Sequence, residues 1–297
     1  MVKVVLIGLG ALGLTYAMKL RGKCDLRILV DESRLKRFKE QKPIFNGEEQ
    51  EFDYILPEEK FESDLIIITT KSRNLSSAIR MIKNFISEHT CIISLINGIS
   101  SEESIKQAYP YAKVLKSYFI GHSAVRNQNS VIQDGVGEIV IEHDEYIEEL
   151  FNKLAINYSV PEDMDYAMWL KFTFNLFSNQ LSTILDMNFG ELKRNKRFKD
   201  FAKKIVTEVR FIAEKKGIKN LDKLEEDSIK SLDRMCDEGK TSMHQDILSK
   251  RPTEVDIFAG EIIRLGKEYN IKTPYNQILY DLIKIKEENN ELGIHSC

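Results

Sequence analysis

Cysteine is scarce in this 297-residue chain, and it is scattered. Cys24, Cys91, Cys236 and Cys297 lie far apart and form no CxxC pair, which argues against both a disulfide framework and a cysteine zinc site and fits a reducing cytoplasm. Long apolar runs are missing too, for none reaches the roughly 18 residues of a membrane span. Charge of one sign is also lacking. With 43 Lys and Arg against 46 Asp and Glu, the net charge is −3, so no broad basic surface for nucleic acid or anionic membrane is indicated. The five histidines show no metal-ligand spacing, and no metal is assigned. There is no internal repeat and no low-complexity tract. What remains is a soluble globular composition, long enough for two domains that each bury a core.

The apolar start, VVLIGLGALGL, is broken by three glycines, has one preceding lysine and lacks a small-residue cleavage site. It reads as a core strand rather than a signal peptide. Val2 to Ile7 is a β-branched run, and Gly8-Leu9-Gly10-Ala11-Leu12-Gly13 follows directly, opening a helix from Leu14 to Leu20. This is GxGxxG in its proper context. The first glycine permits a tight turn, the second lets backbone approach a pyrophosphate, and the third allows close helix–strand packing, while the helix N-terminus offers unpaired N–H groups to phosphates. Leu26 to Val30 is the second strand, with Asp31 at its end, where an acidic residue can bond ribose hydroxyls. Arg34 could answer a 2′-phosphate; Lys36 and Arg37 belong to the solvated face of the next helix.

Residues 44–57, with Asn46-Gly47 between apolar stretches, suggest an inserted hairpin. Asp64 to Thr70 is a further buried parallel strand ending in Lys71, and Cys91 to Ile96 is another ending in Asn97-Gly98. In a doubly wound sheet, ligands sit outside the carboxyl ends of the strands, so Lys71 and Asn97 belong near the cofactor. For Asn97-Gly98 the plain alternative is an ordinary turn. Val114 to Val125, Val131 to Gln133 and Glu138 to Ile141 are expected to complete the sheet with antiparallel pieces around Gly135 and Gly137, Tyr146 to Ala155 to form a helix, and Pro161 to mark the domain boundary.

Beyond Asp163 the periodicity becomes helical. Met168 to Leu185, MWLKFTFNLFSNQLSTIL, contains no Pro or Gly and no charge except Lys171, so as a helix it must be largely buried. Yet Lys171, Asn175 and Asn179 recur every fourth residue and fall within an arc of roughly 80°. An unpaired buried ammonium is very costly, so this stripe is expected to face a wet cavity or a polar ligand; the alternative is a surface helix whose polar face meets water. Further helices are expected over Phe198–Lys216, capped by Gly217, over Leu221–Glu238, from Thr241, from Pro252 to Tyr269 with Glu254 inside, and over Tyr275–Glu288. The fold class is therefore α/β followed by all-α. Residues 1–162 form a dinucleotide-binding domain and residues 163–297 a helical catalytic domain, with substrate in the cleft between them.

Together these stretches resemble the ketopantoate reductase (2-dehydropantoate 2-reductase) family over essentially the full length. The carrying motifs are GLGALG at 8–13, TK at 70–71, ING at 96–98, KxxxNxxxN at 171–179, GEL at 190–192, and SMHQD at 242–246 followed by RPTEVD at 251–256. The resemblance implies a Rossmann domain joined to a helical domain of the 6-phosphogluconate dehydrogenase type. It further implies NADPH-dependent reduction of ketopantoate to pantoate in cytoplasmic pantothenate synthesis. By the same resemblance Lys171 is the proton donor, and Asn97, Asn175, Asn179 and Ser242 contact substrate. Glu254 meets the catalytic lysine or the cofactor, and Lys71 lies beside the nicotinamide; a homodimer is left open.

The chain departs from the family in three places. Asp31-Glu32 stands where an arginine is common, so NAD is the alternative to NADP. His244 replaces an apolar residue, and Phe189 replaces an asparagine of some members. The chemistry is consistent: hydride reduction of a ketone leaves an alkoxide that needs a proton and a positive charge, and Lys171 supplies both if desolvation lowers its pKa. Amides are neutral donors suited to a carboxylate or hydroxyl, and a carboxylate such as Glu254 would hold the ammonium in place. Another branched 2-keto acid is the rival substrate. A nucleotide-binding regulator without catalysis is the rival class.

Overall fold

The structure is a computed structural model that describes residues 1–121, 124–127, 129–133 and 135–293. The chain divides into two compact units, Met1–Met164 and Asp165–Cys297. The first begins with β1 (Lys3–Ile7), β2 (Asp25–Leu29), β3 (Ile44–Phe45), β4 (Glu48–Glu49), β5 (Tyr54–Ile55), β6 (Leu65–Ile68), β7 (Cys91–Ser94) and β8 (Lys113–Leu115). Six of these make an all-parallel sheet in the order β5-β2-β1-β6-β7-β8. Successive side chains of a strand point to opposite faces. Val4, Leu6, Leu65 and Ile67 accordingly join the core on one face, while Val5, Ile7, Ile66 and Ile68 join that on the other. A sheet covered on both sides explains why its strands read as continuous apolar runs.

Helices α1 (Ala11–Leu20), α2 (Glu32–Glu40), α3 (Leu75–Met81), α4 (Ser101–Ala108) and α5 (Glu145–Leu154) accompany it. Two small sheets complete the unit. β9 (Ser117–Gly121), β12 (Gly137–Ile141) and β13 (Tyr158–Ser159) form one; β10 (Ala124–Asn127) and β11 (Ser130–Gln133) join β3 and β4 in the other. The antiparallel pieces expected around Gly135 and Gly137 are present, pairing β10 with β11 and β9 with β12, but within 114–141 only β8 completes the main sheet, and the rest form separate sheets. Residues 122 and 123, inside the expected strand 114–125, lie outside the described residues. The hairpin is likewise shorter than residues 44–57. Asn46 and Gly47 both take positive φ, 49° and 87°, as a two-residue turn demands, but Tyr54–Ile55 leaves to pair in parallel with β2.

The second unit is helical: α6 (Met164–Leu185), α7 (Phe189–Arg194), α8 (Lys196–Lys215), α9 (Leu224–Lys230), α10 (Ser242–Leu248), α11 (Ala259–Tyr269) and α12 (Pro274–Glu291). Two expected helices are broken. The stretch 221–238 yields only α9 flanked by single 3-10 turns at Leu221–Lys223 and Ser231–Arg234. Beyond it, the carbonyls of Met235, Asp237 and Gly239 accept from Lys193, Gly190 and Phe189, so they are not available to a helical ladder. Helix α11 starts at Ala259 instead of Pro252. Thr253 closes a local turn by accepting from the Val255 N–H at 3.2 Å while its own N–H donates to Glu287 at 2.6 Å. Glu254 therefore sits in an irregular segment just before the 3-10 turn Val255–Ile257.

Candidate functional site

In the first unit the expected cofactor residues gather on one edge of the sheet. The glycine loop follows β1, Asp31 follows β2, Lys71 follows β6 and Asn97 follows β7, and these four strands are neighbours running the same way. The loop is shaped by exclusion. Gly8 has φ +104°, and a Cβ there would lie 2.8 Å from the Thr70 amide nitrogen; a Cβ on Gly13 would lie 1.8 Å from the Gly8 carbonyl oxygen. Only glycine fits either position. Gly10, by contrast, has its nearest neighbour at 4.0 Å, leaving room for another group against the backbone. Gly10 is also the N-cap of α1, with no side chain bonding the first N–H groups and no acidic residue in the first turn. Leu9 is buried, while Ala11 and Leu12 are half-buried at the helix start. An open glycine before an uncapped helix N-terminus fits a dinucleotide pyrophosphate.

Thr69 escaped the sequence reading, and it braces this loop by donating from Oγ1 to the Gly8 carbonyl at 2.7 Å. No sequence signal marked it beyond its place at a strand end. Asp31 proves to be the N-cap of α2: Oδ1 accepts from the Arg34 N–H and from Ser33 Oγ, both at 2.7 Å. Its other oxygen pairs with the Arg34 guanidinium. Partial burial works against ionisation, but these hydrogen bonds and the guanidinium hold the carboxyl below its ordinary range. Lys36 and Arg37 are exposed, as a solvated face requires. Lys71 is exposed and Asn97 half-buried, the latter just before Gly98 with φ +108°.

In the second unit α6 buries most of its circumference, with Phe172, Leu176 and Phe177 at 2% exposure or less. Lys171 and Asn175 are half-buried, and Asn179 is buried. Asn179 meets the start of α10, where its Oδ1 accepts from the Met243 N–H at 3.3 Å and from Ser242 Oγ at 3.4 Å. A backbone N–H can only donate, so this contact fixes which end of the amide is oxygen. The Nδ2 group, without a partner among the described residues, is left to donate elsewhere. Ser242 and Asn179 are thus brought together. The turn bearing Glu254, itself buried, is held to α6 by Phe258, which stacks on Phe172 at 6.1 Å between ring centroids.

The stripe also runs further than the three residues singled out. Ser182 and Asp186 continue it at helical spacing, Ser182 Oγ lying 2.7 Å from Thr241 Oγ1 and Asp186 Oδ1 2.7 Å from His244 Nε2. Their position three and seven residues past Asn179 was the signal available. This lower extension of the stripe, beyond the three residues named from the sequence, meets protein. Phe174 and Phe189 stack nearly parallel, 6.5 Å apart, beside the upper stripe. Among the described residues no group of three or more His, Cys, Asp or Glu could hold a metal ion, and no helix is long and apolar enough to cross a membrane.

A glycine cradle on a parallel sheet, joined in one chain to a helical unit, defines a dinucleotide-binding protein of the Rossmann class. The model for ketopantoate reductase PanE/ApbA matches residues 4–145, and that for its C-terminal region matches residues 163–287. The chain belongs to the ketopantoate reductase family. It is 28% identical to the 2-dehydropantoate 2-reductase of Lactococcus lactis, over 96% of this chain and 98% of that protein. The 2-dehydropantoate 2-reductase of Aquifex aeolicus is 27% identical over 96% and 97%. Among solved structures, D-mandelate dehydrogenase with NADH and anilino(oxo)acetate matches with a TM-score of 0.84 at 26% identity, covering 97% of this chain and 99% of its own. The dimeric ketopantoate reductase of Staphylococcus aureus shares the fold, with a TM-score of 0.79 at 20% identity over 97% and 99%. The cofactor is a nicotinamide nucleotide and the reaction a 2-keto acid reduction.

Proposed function

We propose that this protein reduces ketopantoate to pantoate with NADPH, Lys171 donating the proton to the new hydroxyl oxygen. The observation that carries the reading is the keyed amide of Asn179, aligned on one helix with Lys171 and Asn175. Bound NADPH supplies the hydride. Lys171 offers the proton and a positive charge against the developing alkoxide, with Glu254 as the carboxylate that holds the ammonium. The amides of Asn175 and Asn179, with Ser242 and Asn97, bond the substrate carboxylate and hydroxyl. By the same reading Gly8 to Gly13, Lys71 and Asn97 would hold the cofactor, with Glu254 a further cofactor contact.

NADPH is favoured over NADH because Asp31 is already neutralised. Its carboxylate serves as N-cap and partner of Arg34, while the remaining guanidinium N–H groups, unpartnered among the described residues, can meet a 2′-phosphate. The three described cysteines, Cys24, Cys91 and Cys236, are free thiols, which suits a cytoplasmic enzyme of pantothenate synthesis. A homodimer belongs to the same reading. Ile278, Leu282 and Ile285 are exposed along one side of α12, with Leu292 exposed just past its end, and light scattering reads the mass directly.

The test is NADPH oxidation against a panel of ketopantoate, 2-ketoisovalerate and phenylglyoxylate. A site built to bond a hydroxyl leaves polar groups unpaired when it is absent, so ketopantoate should exceed 2-ketoisovalerate in kcat/KM. Equal efficiency on the two rejects the substrate assignment and favours another branched 2-keto acid. One specific observation supports a second reading: the Phe174–Phe189 stack beside the stripe, together with the mandelate dehydrogenase likeness, suits an aromatic 2-keto acid. Highest kcat/KM on phenylglyoxylate would establish it. NADPH binding without turnover of any keto acid would leave a nucleotide-binding regulator.

A further inference from the structure

Asp186 and His244 lie beyond the residues the reaction uses, yet the structure builds a contact around them. Asp186 directly follows α6 at φ +54°, a conformation that Asp tolerates better than most residues. Its carboxylate is 72% exposed, whereas the His244 side chain is 2% exposed. With Nε2 2.7 Å from Asp186 Oδ1, the imidazole donates from Nε2 and leaves Nδ1 as a bare acceptor. That Nδ1 is buried and has no partner among the described residues, so a proton there would be a second, unsatisfied donor. Burial, with Lys240 and Lys286 nearby, lowers the imidazole's pKa below its ordinary value against the pull of Asp186.

The contact lies at one end of a three-rung zipper. From the C-terminal end of α6 upward, Asp186 holds His244, Ser182 holds Thr241, and Asn179 holds Met243 and Ser242. Thr241 also caps α10 by accepting from the His244 N–H at 3.3 Å. Every rung fixes the same thing, the register of the first turn of α10 against α6. If that turn shifted, the Met243 N–H would leave Asn179, and the amide could rotate to present oxygen where a donor is needed.

We propose that the Asp186–His244 pair is a positioning device that locks the start of α10 on α6, so that Asn179 is held as an N–H donor to the keto acid. This rests on the reading of Asn179 as a substrate residue. His244→Leu removes the bond at similar volume, and His244→Gln keeps an N–H donor. His244→Leu raises KM for the keto acid about tenfold, the order expected for one neutral hydrogen bond, with kcat within about twofold and NADPH affinity unchanged. His244→Gln recovers most of the loss. Asp186→Ala repeats the effect from the exposed side if His244→Leu fails to fold, and Asp186→Asn is mild.

A readout without substrate separates the two layers. Hydrogen exchange at the Met243 amide accelerates by roughly tenfold in His244→Leu and in Asp186→Ala, because local opening exposes that N–H. Unchanged exchange in both variants overturns the lock. Faster exchange with KM unchanged shows a lock that does not serve substrate binding and overturns the proposal as stated. A wild-type chain that reduces no 2-keto acid overturns the functional reading and the substrate half of the proposal, while the exchange result still decides whether the lock exists.

Discussion

Replacing Glu102 with glutamine should stabilise the protein at alkaline pH and change little at acid pH. Glu102 lies in the first turn of α4 at 6% exposure, with Oε2 accepting from Ser101 Oγ at 3.0 Å and Oε1 buried without a partner among the described residues. Burial dominates over the hydrogen bonds from Ser101 and nearby backbone, pushing its pKa from the usual 4.5 to about 7. An acid whose pKa is higher folded than unfolded binds its proton more tightly when folded. Its stabilising share is therefore complete below about 4.5, falls as pH rises through that window, and is gone above about 7. At about 1.36 kcal/mol per pH unit, the full swing is about 3 kcal/mol. Glutamine keeps the shape and cannot ionise. Urea melts of both proteins at pH 5 and pH 8 give the comparison: the variant gains up to about 3 kcal/mol relative to wild type at pH 8, and far less at pH 5. A difference that is the same at both pH values would refute the argument that Glu102 is forced to ionise in a buried site.

Lys171→Ala should lower kcat by roughly 10²- to 10⁴-fold with NADPH affinity little changed, and combined with Glu254→Ala it should lose less than the product of the single losses, as coupled residues do. Steady-state kinetics and a fluorescence titration check both, and near-normal turnover in Lys171→Ala removes the catalytic assignment. Arg34→Ala should raise KM for NADPH about tenfold or more while leaving NADH nearly unaffected, the order expected from removing one charge-assisted hydrogen bond; an unchanged preference shows that Arg34 does not meet the 2′-phosphate. Asn179→Asp keeps the acceptor for the Met243 N–H but replaces the free amide with an anion. KM for the keto acid should therefore rise at least about tenfold while the melting temperature moves only a few degrees.

The first unit was legible where local chemistry and periodicity agreed. Gly8 and Gly13 are required by contacts a few ångströms away, and strands covered on both faces leave unbroken apolar runs. The small sheets were not legible, because whether Ser117–Gly121 or Ser130–Gln133 extends the main sheet is decided by partners far along the chain, here Gly137–Ile141 and Ile44–Phe45. Helix ends failed for the same reason. Residues 235–239 give up helical hydrogen bonds to α7, and Thr253 is claimed by Glu287 on α12, neither of which a window of neighbouring residues can reveal. Asp31 carries two roles that its position alone cannot separate. Its place after β2 suggests a ribose ligand, and an aspartate immediately before a helix is also an ideal N-cap; the structure shows the cap with its Arg34 partner.

The polar stripe of α6 shows why spacing alone could suggest a candidate site without dividing its labour. Lys171, Asn175, Asn179, Ser182 and Asp186 all lie within roughly a quarter-turn of one helix face, and nothing in that pattern separates groups that await a ligand from groups that bind protein. The division comes from α10, whose cap and first turn bond the stripe from Asn179 downward. Asn179 is the hinge between the two uses, its oxygen committed to the Met243 N–H and its Nδ2 left over. A single asparagine can serve both ends because its two polar atoms have opposite hydrogen-bonding character. Aspartate would place an acceptor at each end, and leucine would leave the Met243 N–H buried without a partner at about 1 to 3 kcal/mol. Under the proposed function the same position answers to folding on one side and to substrate on the other.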